Sequence, residues 1–287
     1  MNKQEQQLYE GEEFIVARHS IKPKGEDLPS EKYNGISEQG VELARQQSRE
    51  WLRVLNEAPE RSVLILSPTS EQIRTKSSMR AIAQEMKSAT SQDEESNIFV
   101  ITEEDYADHK LTYDEMIGII TSKIKEAPDK KFIISLPLFI KGFALGSGRW
   151  MDLEGNLTPY AADLLANNNN NDQACLEDWI ASGGHSGNLE GPNPTKVAVE
   201  HLDGIKKLGS FAIRYIPNRP LIIGAVGHSW NLDALAVYLV NNGKVDFEGL
   251  KKVGRTMINE MEPIILTSDE NGVKIKYGER LEALLEE

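Results

Sequence analysis

Two histidines of this chain stand directly after apolar runs, at positions where a histidine can do chemistry. His19, preceded by Arg18, follows the apolar residues 14–17, and His228 follows residues 221–227. In open α/β sheets, ligands bind at the carboxyl ends of the strands. A histidine at such a place can titrate near neutral pH or attack phosphorus as a nucleophile. The two histidines therefore predict a shared site at one edge of a sheet.

The pattern around these histidines alternates between short apolar runs and helical periodicity. Near-continuous apolar runs are typical of buried, parallel strands, and they occur at 13–17, 62–66, 97–102, 132–136 and 221–226. Helices are predicted from Ser37 to Leu55, from Asn193 to Ile216, and at 70–88, 112–126, 158–167 and 230–241. The end of the chain predicts a hairpin with strands at 264–266 and 273–275, followed by a short helix at 279–286.

Residues 141–194 interrupt this alternation. They include five consecutive asparagines at 167–171 and a glycine-rich segment at 183–187. Long irregular segments in compact domains are usually lids or binding loops. We interpret 141–194 as an insertion, part helix and part loop, that covers the site as a lid within a single domain of residues 1–287.

Composition and charge exclude several classes of function. The net charge of −13 disfavours nucleic-acid binding, which needs a basic surface, so an anionic substrate would require a local arginine cluster. The single cysteine, Cys175, excludes an internal disulfide and suits a reducing compartment. The polar, acidic residues 1–13 do not fit a signal peptide, and no apolar run reaches the roughly 20 residues of a membrane span. We expect a soluble, cytoplasmic protein without a membrane or nucleic-acid partner.

Four short segments follow one another at strand ends and helix starts. They are Val16-Ala17-Arg18-His19-Ser20, residues 35–40 before a helix, residues 69–78 with Arg74-Thr75, and Val226-Gly227-His228-Ser229. In this order they resemble the motifs of the histidine phosphatase superfamily, which includes phosphoglycerate mutases and histidine acid phosphatases. The resemblance covers about residues 12–80 and 218–240, and the middle of the chain has no counterpart in it.

The resemblance implies a phosphoglycerate mutase-like α/β fold, a three-layer sandwich whose mostly parallel central sheet is flanked by helices. It implies a phosphomonoester hydrolase that uses neither metal nor cofactor and acts on a small phosphorylated substrate through a phosphohistidine. Histidine and cysteine spacings in the sequence likewise predict no metal site. Two alternatives stay open: a phosphoglycerate mutase-type phosphoryl transferase, and a non-catalytic member that only binds a phosphate ligand. The sequence leaves the natural substrate and the oligomeric state open.

The resemblance also implies roles for individual residues. His19, neutral at Nε2, would attack phosphorus, and Arg18 and Arg74 would hold the phosphate, whose oxygens suit the planar guanidinium fork. His228 would be a catalytic histidine that donates a further hydrogen bond. Ser20 stands where the family usually has glycine, and we expect it to keep the amide contact with phosphate and to add its hydroxyl.

The general acid that protonates the leaving group is less clearly marked. Glu103 follows the third strand, as the acid does in the mutase-like branch of the family, and Glu104 is the next candidate. In the acid-phosphatase branch an aspartate directly follows the second histidine, but here that position is Ser229. Asp233 and Glu190 are further candidates.

Overall fold

Strands and helices alternate through the chain, and the strands build one large sheet. The computed structural model describes residues 13–25, 28–93, 95–106, 112–136, 150–152, 156–269 and 272–285. The strands are β1 (Glu13–Arg18), β2 (Val63–Pro68), β3 (Ile98–Ile101), β4 (Lys131–Ser135), β5 (His185–Ser186), β6 (Leu189–Glu190), β7 (Leu221–Gly227), β8 (Pro263–Asp269), β9 (Gly272–Tyr277) and β10 (Leu281–Leu284). The helices are α1 (Glu38–Glu57), α2 (Ile73–Gln92), α3 (Tyr113–Glu126), α4 (Pro159–Asn167), α5 (Asp172–Ser182), α6 (Pro194–Tyr215), α7 (Ser229–Val240) and α8 (Phe247–Lys252).

The large sheet has eight strands in the order β10-β9-β8-β1-β7-β2-β4-β3. The five strands from β1 to β3 in this order are parallel, whereas β8, β9 and β10 are antiparallel to their neighbours. The predicted mostly parallel sheet is thus confirmed, with each of its five predicted strands within two residues of the observed bounds. β5 and β6 form a separate small hairpin.

Helices cover both faces of the sheet, because alternate side chains of a strand point to opposite faces. In β1, Phe14 and Val16 belong to one core with apolar residues of α3 to α8, whereas Ile15 and Ala17 belong to a second core with α1 and α2. The three layers expected from the sequence are therefore present. Strands buried on both faces explain why the runs are continuously apolar rather than alternating.

Local signals in the sequence fix two of the long helices. Ser37 caps α1, since its side chain accepts a hydrogen bond from Gly40 N at 3.1 Å. Asn193 caps α6, with Pro194 in the first turn, where the missing N–H costs nothing. Both helix starts agree with the prediction. None of the helices in the described ranges is long and apolar enough to cross a bilayer.

The predicted helix at 279–286 is wrong. Residues 281–284 form β10, which pairs antiparallel with β9, with Leu281 opposite Tyr277 and Leu284 opposite Lys274. The edge of β9 offers unpaired backbone groups. Hydrogen bonding to them stabilises residues 281–284 as a strand more than a short helix without a tertiary partner would be stabilised. Residue 286 lies outside the described ranges.

Part of the segment 141–194 is described. The predicted helix at 158–167 is confirmed as α4, and α5 and the β5–β6 hairpin follow it. Residues 141–149 and 153–155 lie outside the described ranges.

Candidate active site

A cavity of about 260 Å³ lies at the carboxyl ends of β1 and β7, and both predicted histidines line it. β1 and β7 are parallel neighbours whose register places Arg18 opposite Gly227. The next residue of each strand is His19 and His228, so sheet pairing alone brings the two imidazoles together. Their ring centroids are 5.3 Å apart.

The imidazole of His19 is held in one tautomer. Its Nδ1 lies 2.7 Å from the carbonyl oxygen of Ser20. A carbonyl oxygen can only accept, so Nδ1 carries the hydrogen and Nε2 keeps a lone pair. Burial, and then the positive charge of Arg74, lower the pKa of His19 to about 3. The ring is therefore neutral at physiological pH, as a nucleophile must be.

His228 is the centre of a hydrogen-bonded chain. Arg74 Nη2 lies 3.3 Å from its Nδ1, and Ser70 Oγ lies 2.8 Å from its Nε2. Because a guanidinium only donates, Nδ1 accepts from Arg74 and the Nε2 hydrogen is donated to Ser70. Ser70 Oγ in turn lies 3.0 Å from Thr75 Oγ1. Burial, followed by the charge of Arg74, lowers the pKa of His228 well below its usual value.

Basic side chains gather around the cavity although the whole chain is acidic. Arg18, Arg74, Lys22 and Lys24 all line it. Arg74 Nε is buried and has no hydrogen-bond partner among the described residues. Burial and the neighbouring charge of Arg18 lower the pKa of the Arg74 guanidinium. Mutually repelling cations with an unused donor make this cavity suited to an anion.

Arg18 is positioned by the loop before β8. Its Nη1 donates to the carbonyl of Ile258 at 2.8 Å, and its Nη2 pairs with Glu260 Oε1 at 3.0 Å. Asp233, fully buried, supports the same loop, since its Oδ1 accepts from Ile258 N at 3.0 Å and from the Tyr277 hydroxyl at 2.5 Å. Asp233 therefore holds the loop that positions Arg18. Burial raises the pKa of the Asp233 carboxyl to about 7.

Ser20 does not line the cavity, contrary to the expected phosphate contact. Its amide donates to Ser78 Oγ at 2.9 Å, and its hydroxyl donates to the carbonyl of Gly40 at 2.6 Å. A glycine at position 40 lets Ile21, the residue after Ser20, pack closely against α1, because a Cβ at position 40 would lie 2.5 Å from the carbonyl oxygen of Ile21. Both donors of Ser20 thus tie the end of β1 to α1 and α2, and no donor is left for phosphate.

Glu103 also lies away from the cavity, which corrects its expected role as the acid. It starts the short 3₁₀ helix Glu103–Asp105 after β3, at the edge of the sheet. β3 is four strands from β1, about 19 Å at ~4.8 Å per strand. The Glu103 carboxylate pairs with Arg80 Nε at 2.8 Å, and Glu104 pairs with Lys87 at 3.1 Å. Neither glutamate is among the residues that line the cavity.

Other carboxylates do reach the cavity, although sequence reasoning did not single them out. Glu260 and Asp172 line it, whereas Glu190 lies in β6 and Asp233 is buried behind Arg18. Nothing in the sequence marks Glu260, because it belongs to a loop between α8 and β8 whose path depends on the whole sheet. Asp172 follows the asparagine run and begins α5.

Asn231 is a further cavity residue without an assigned role in the sequence. It lies in the first turn of α7, is 1% exposed and lines the cavity. Within the part of the chain that the structure describes, neither its Nδ2 nor its Oδ1 has a hydrogen-bond partner. Its position three residues after His228 is a signal that could have identified it, since the first turn after a strand end faces the ligand side of the sheet.

A group of apolar residues also lines the cavity. Its residues come mainly from the 150–165 region and from the start of α7: Trp150, Met151, Leu157, Ala161, Leu165 and Trp230. The rings of Trp150 and Trp230 are 4.9 Å apart and nearly perpendicular. The cavity therefore has a cationic floor and an apolar wall.

The described ranges hold no group of three or more His, Cys, Asp or Glu side chains placed to bind a metal ion.

Burial of His19 makes stability depend on pH. The unfolded histidine titrates near 6.5, whereas the folded pKa is about 3. Between these values the unfolded state binds more protons, so the free energy of unfolding falls as pH falls. From pH 7 to pH 4.5 we expect His19 to account for about 2–3 kcal/mol of this loss.

Denaturant unfolding of wild type and His19→Gln at both pH values measures this difference. The comparison isolates His19, because His228 and Asp233, whose pKa values are also shifted by burial, are present in both proteins. The exposed His185 provides the control His185→Gln, which should keep the wild-type pH dependence. An unchanged pH dependence in His19→Gln would contradict the neutral, buried state of this ring.

The chain is similar in structure to solved phosphatases at low sequence identity. A mycobacterial glucosyl-3-phosphoglycerate phosphatase has 12% identity and a TM-score of 0.42, with 92% of this chain and 96% of that chain covered. A putative alpha-ribazole-5'-P phosphatase from Escherichia coli has 12% identity and a TM-score of 0.42, with 95% and 99% covered. A phosphoserine phosphatase mutant from Entamoeba histolytica, in complex with phosphoserine, has 10% identity and a TM-score of 0.45, with 94% and 98% covered. No protein-family model matches the chain, and no curated protein matches it.

Proposed function

We propose that this chain hydrolyses phosphomonoesters through a phosphohistidine formed on His19. The observation that carries the proposal is the fixed tautomer of His19, whose Nδ1 donates to the Ser20 carbonyl and leaves a lone pair on Nε2. This neutral imidazole lines a cavity together with Arg18 and Arg74. Phosphoryl transfer needs little from a protein beyond an aligned nucleophile and positive charge around the phosphoryl oxygens.

In the first step, His19 Nε2 attacks phosphorus opposite the ester oxygen. A P–N bond forms while the P–O bond to the alcohol breaks, and the departing oxygen takes a proton from a carboxylic acid. In the second step, water attacks the phosphohistidine and gives its proton to the same carboxylate. The P–N bond breaks, inorganic phosphate leaves, and neutral His19 is restored.

Arg18 and Arg74 stabilise the charge on the phosphoryl oxygens with paired N–H donors. His228 Nδ1 accepts from Arg74 Nη2 and so orients this guanidinium. In the proposal, a phosphate dianion draws the Arg74 guanidinium away from His228 and favours the protonated form of this ring, whose Nδ1 hydrogen is then donated to a phosphoryl oxygen. Ser70 holds the opposite nitrogen of this ring and keeps its orientation.

In the proposal, the described part of residues 141–194 forms a wall of this site. Met151, Leu157, Ala161 and Leu165 of this segment line the cavity. We therefore keep the interpretation of a single domain with this segment as its insertion, and propose that it excludes water from the phosphoryl group. The partner is a small phosphorylated compound.

Glu260 is the carboxylate that we assign as the general acid. It lines the cavity and its Oε1 lies 3.0 Å from Arg18 Nη2, next to the proposed phosphate position. Glu260→Gln should lower turnover of an alkyl phosphate at least about tenfold more than turnover of an aryl phosphate, because a phenolate leaves without a proton and an alkoxide does not. Steady-state kinetics on both substrates measure the ratio.

Glu103→Gln is the matched control, because this carboxylate also pairs with an arginine but lies off the cavity. It should change the two rates equally and by less than about twofold. If Asp172→Asn, and not Glu260→Gln, selectively lowered turnover of the alkyl phosphate, the general acid would be Asp172 at the start of α5.

Hydrolysis of a generic aryl phosphate tests the function itself. Release of inorganic phosphate supports the hydrolase, and transfer of the phosphoryl group to an added alcohol without release would support the transferase. Tight vanadate binding without any turnover would favour a protein that only binds its phosphate ligand.

A further inference from the structure

We propose that the substrate is a phosphate ester of an apolar, aromatic-sized alcohol that carries one hydrogen-bond donor for Asn231. This inference rests on the proposed function for the chemical step, and it adds the class of alcohol that the site selects. It comes from three features of the cavity: its apolar wall, an exposed apolar side chain at that wall, and an unpartnered buried amide.

The apolar wall is the first feature. Trp150 and Trp230 contact each other edge to face, with centroids 4.9 Å apart, and both line the cavity. Trp179 packs behind them, 5.1 Å from Trp150. The cavity that holds the arginines is therefore also lined by two indole rings, and in the proposal the ester group of the bound phosphate lies against them. Such a wall binds a flat apolar group through burial and ring contacts.

The second feature is an apolar side chain that stays in solvent. Leu157 lines the cavity and is 45% exposed. An isolated exposed leucine needs no explanation, but this one continues the surface formed by Met151 and the two tryptophans. An apolar ligand group would cover it, whereas a hydrated sugar would not.

The third feature is the amide of Asn231. Its Nδ2 and Oδ1 are buried and lack partners among the described residues. The NH₂ group suits a phosphoryl oxygen, but Oδ1 repels it and requires an O–H or N–H donor. A ligand group with one donor satisfies it. Sugar hydroxyls that face the described apolar residues of the wall would be buried without partners.

Binding of two phosphonates, which cannot be hydrolysed, tests the class of alcohol apart from turnover. By isothermal titration calorimetry, 2-phenylethylphosphonate should bind at least about tenfold more tightly than ethylphosphonate. Equal affinities, or tighter binding of 2,3-dihydroxypropylphosphonate, would overturn the inference. Trp230→Leu and Leu157→Ala should each reduce the ratio, and Leu284→Ala, at a 52% exposed leucine in β10, should leave it unchanged.

The corresponding phosphates separate this inference from the proposed function. The alcohols of 2-phenylethyl phosphate and ethyl phosphate have similar acidity, so their leaving-group chemistry is matched. Hydrolysis of both with equal kcat/KM would overturn the inference and keep the function. A binding preference among the phosphonates without hydrolysis of either phosphate would overturn the function and keep the ligand class.

Asn231→Leu tests the donor, because leucine keeps the volume and removes both polar atoms. Its melting temperature should rise by about 2–6 °C, since two buried, unpartnered atoms are lost. In wild type, at least one of the three ring-hydroxylated 2-phenylethylphosphonates should bind at least about fivefold more tightly than the parent, and Asn231→Leu should lose this gain. If none of the three hydroxylated phosphonates binds more tightly than the parent, the ligand needs no hydrogen-bond donor and this part of the proposal is wrong. If the tighter binding persists in Asn231→Leu, another residue accepts the hydrogen bond.

Discussion

Replacing His19 with alanine should reduce hydrolysis of any phosphomonoester by about a thousandfold or more, because it removes the nitrogen that attacks phosphorus in the proposed mechanism. In the folded chain the nucleophile has one available atom, Nε2, since Nδ1 is bonded to the Ser20 carbonyl. Initial rates at saturating substrate measure the loss. Circular dichroism and thermal unfolding establish that the variant is folded.

A labelled phosphoenzyme gives an independent readout of the same atom. After rapid mixing with ³²P-labelled substrate and quenching in base, wild type should carry label that is stable in base and lost in acid, as a phosphohistidine is. His19→Ala should carry none. His185→Ala, at an exposed histidine outside the cavity, should label like wild type. Full activity of His19→Ala would contradict the proposed mechanism.

Replacing Arg74 with lysine should lower kcat/KM by about a hundredfold although the charge is kept. The Arg74 guanidinium donates to His228 through Nη2 and has a buried Nε without a partner among the described residues. Lysine offers a single point of charge that lacks the paired N–H donors of a guanidinium. We expect kcat to fall and KM to rise. The fall in kcat is expected because these contacts strengthen as charge develops in the transition state.

Arg80→Lys is the matched control for this variant. Arg80 also lies on α2, but it pairs with Glu103 at 2.8 Å and its side chain is 55% exposed. Its replacement should change kcat/KM by less than about twofold. If Arg74→Lys kept the wild-type kcat/KM, Arg74 would not be a residue that contacts the phosphate.

The sequence alone was enough to locate the floor of the cavity. Continuous apolar runs predicted the parallel strands, because strands buried on both faces need no alternation. Parallel strands share the direction of their carboxyl ends, so the residues that follow β1 and β7 had to lie at one edge. Ser37 and Asn193 fixed helix starts through local capping, which depends only on a few neighbouring residues.

The tertiary structure decided which of the other residues reach that edge. Glu103 also follows a strand, but strand order places β4 between β2 and β3 and leaves Glu103 at the far side of the sheet. Lateral order depends on long-range pairing, and no local pattern encodes it. Glu260 and Trp150 reach the cavity from segments distant in the chain, and Ser20 is turned away by contacts with α1 and α2. Local residue types thus fixed what each segment is, whereas packing of the sheet fixed which segments meet.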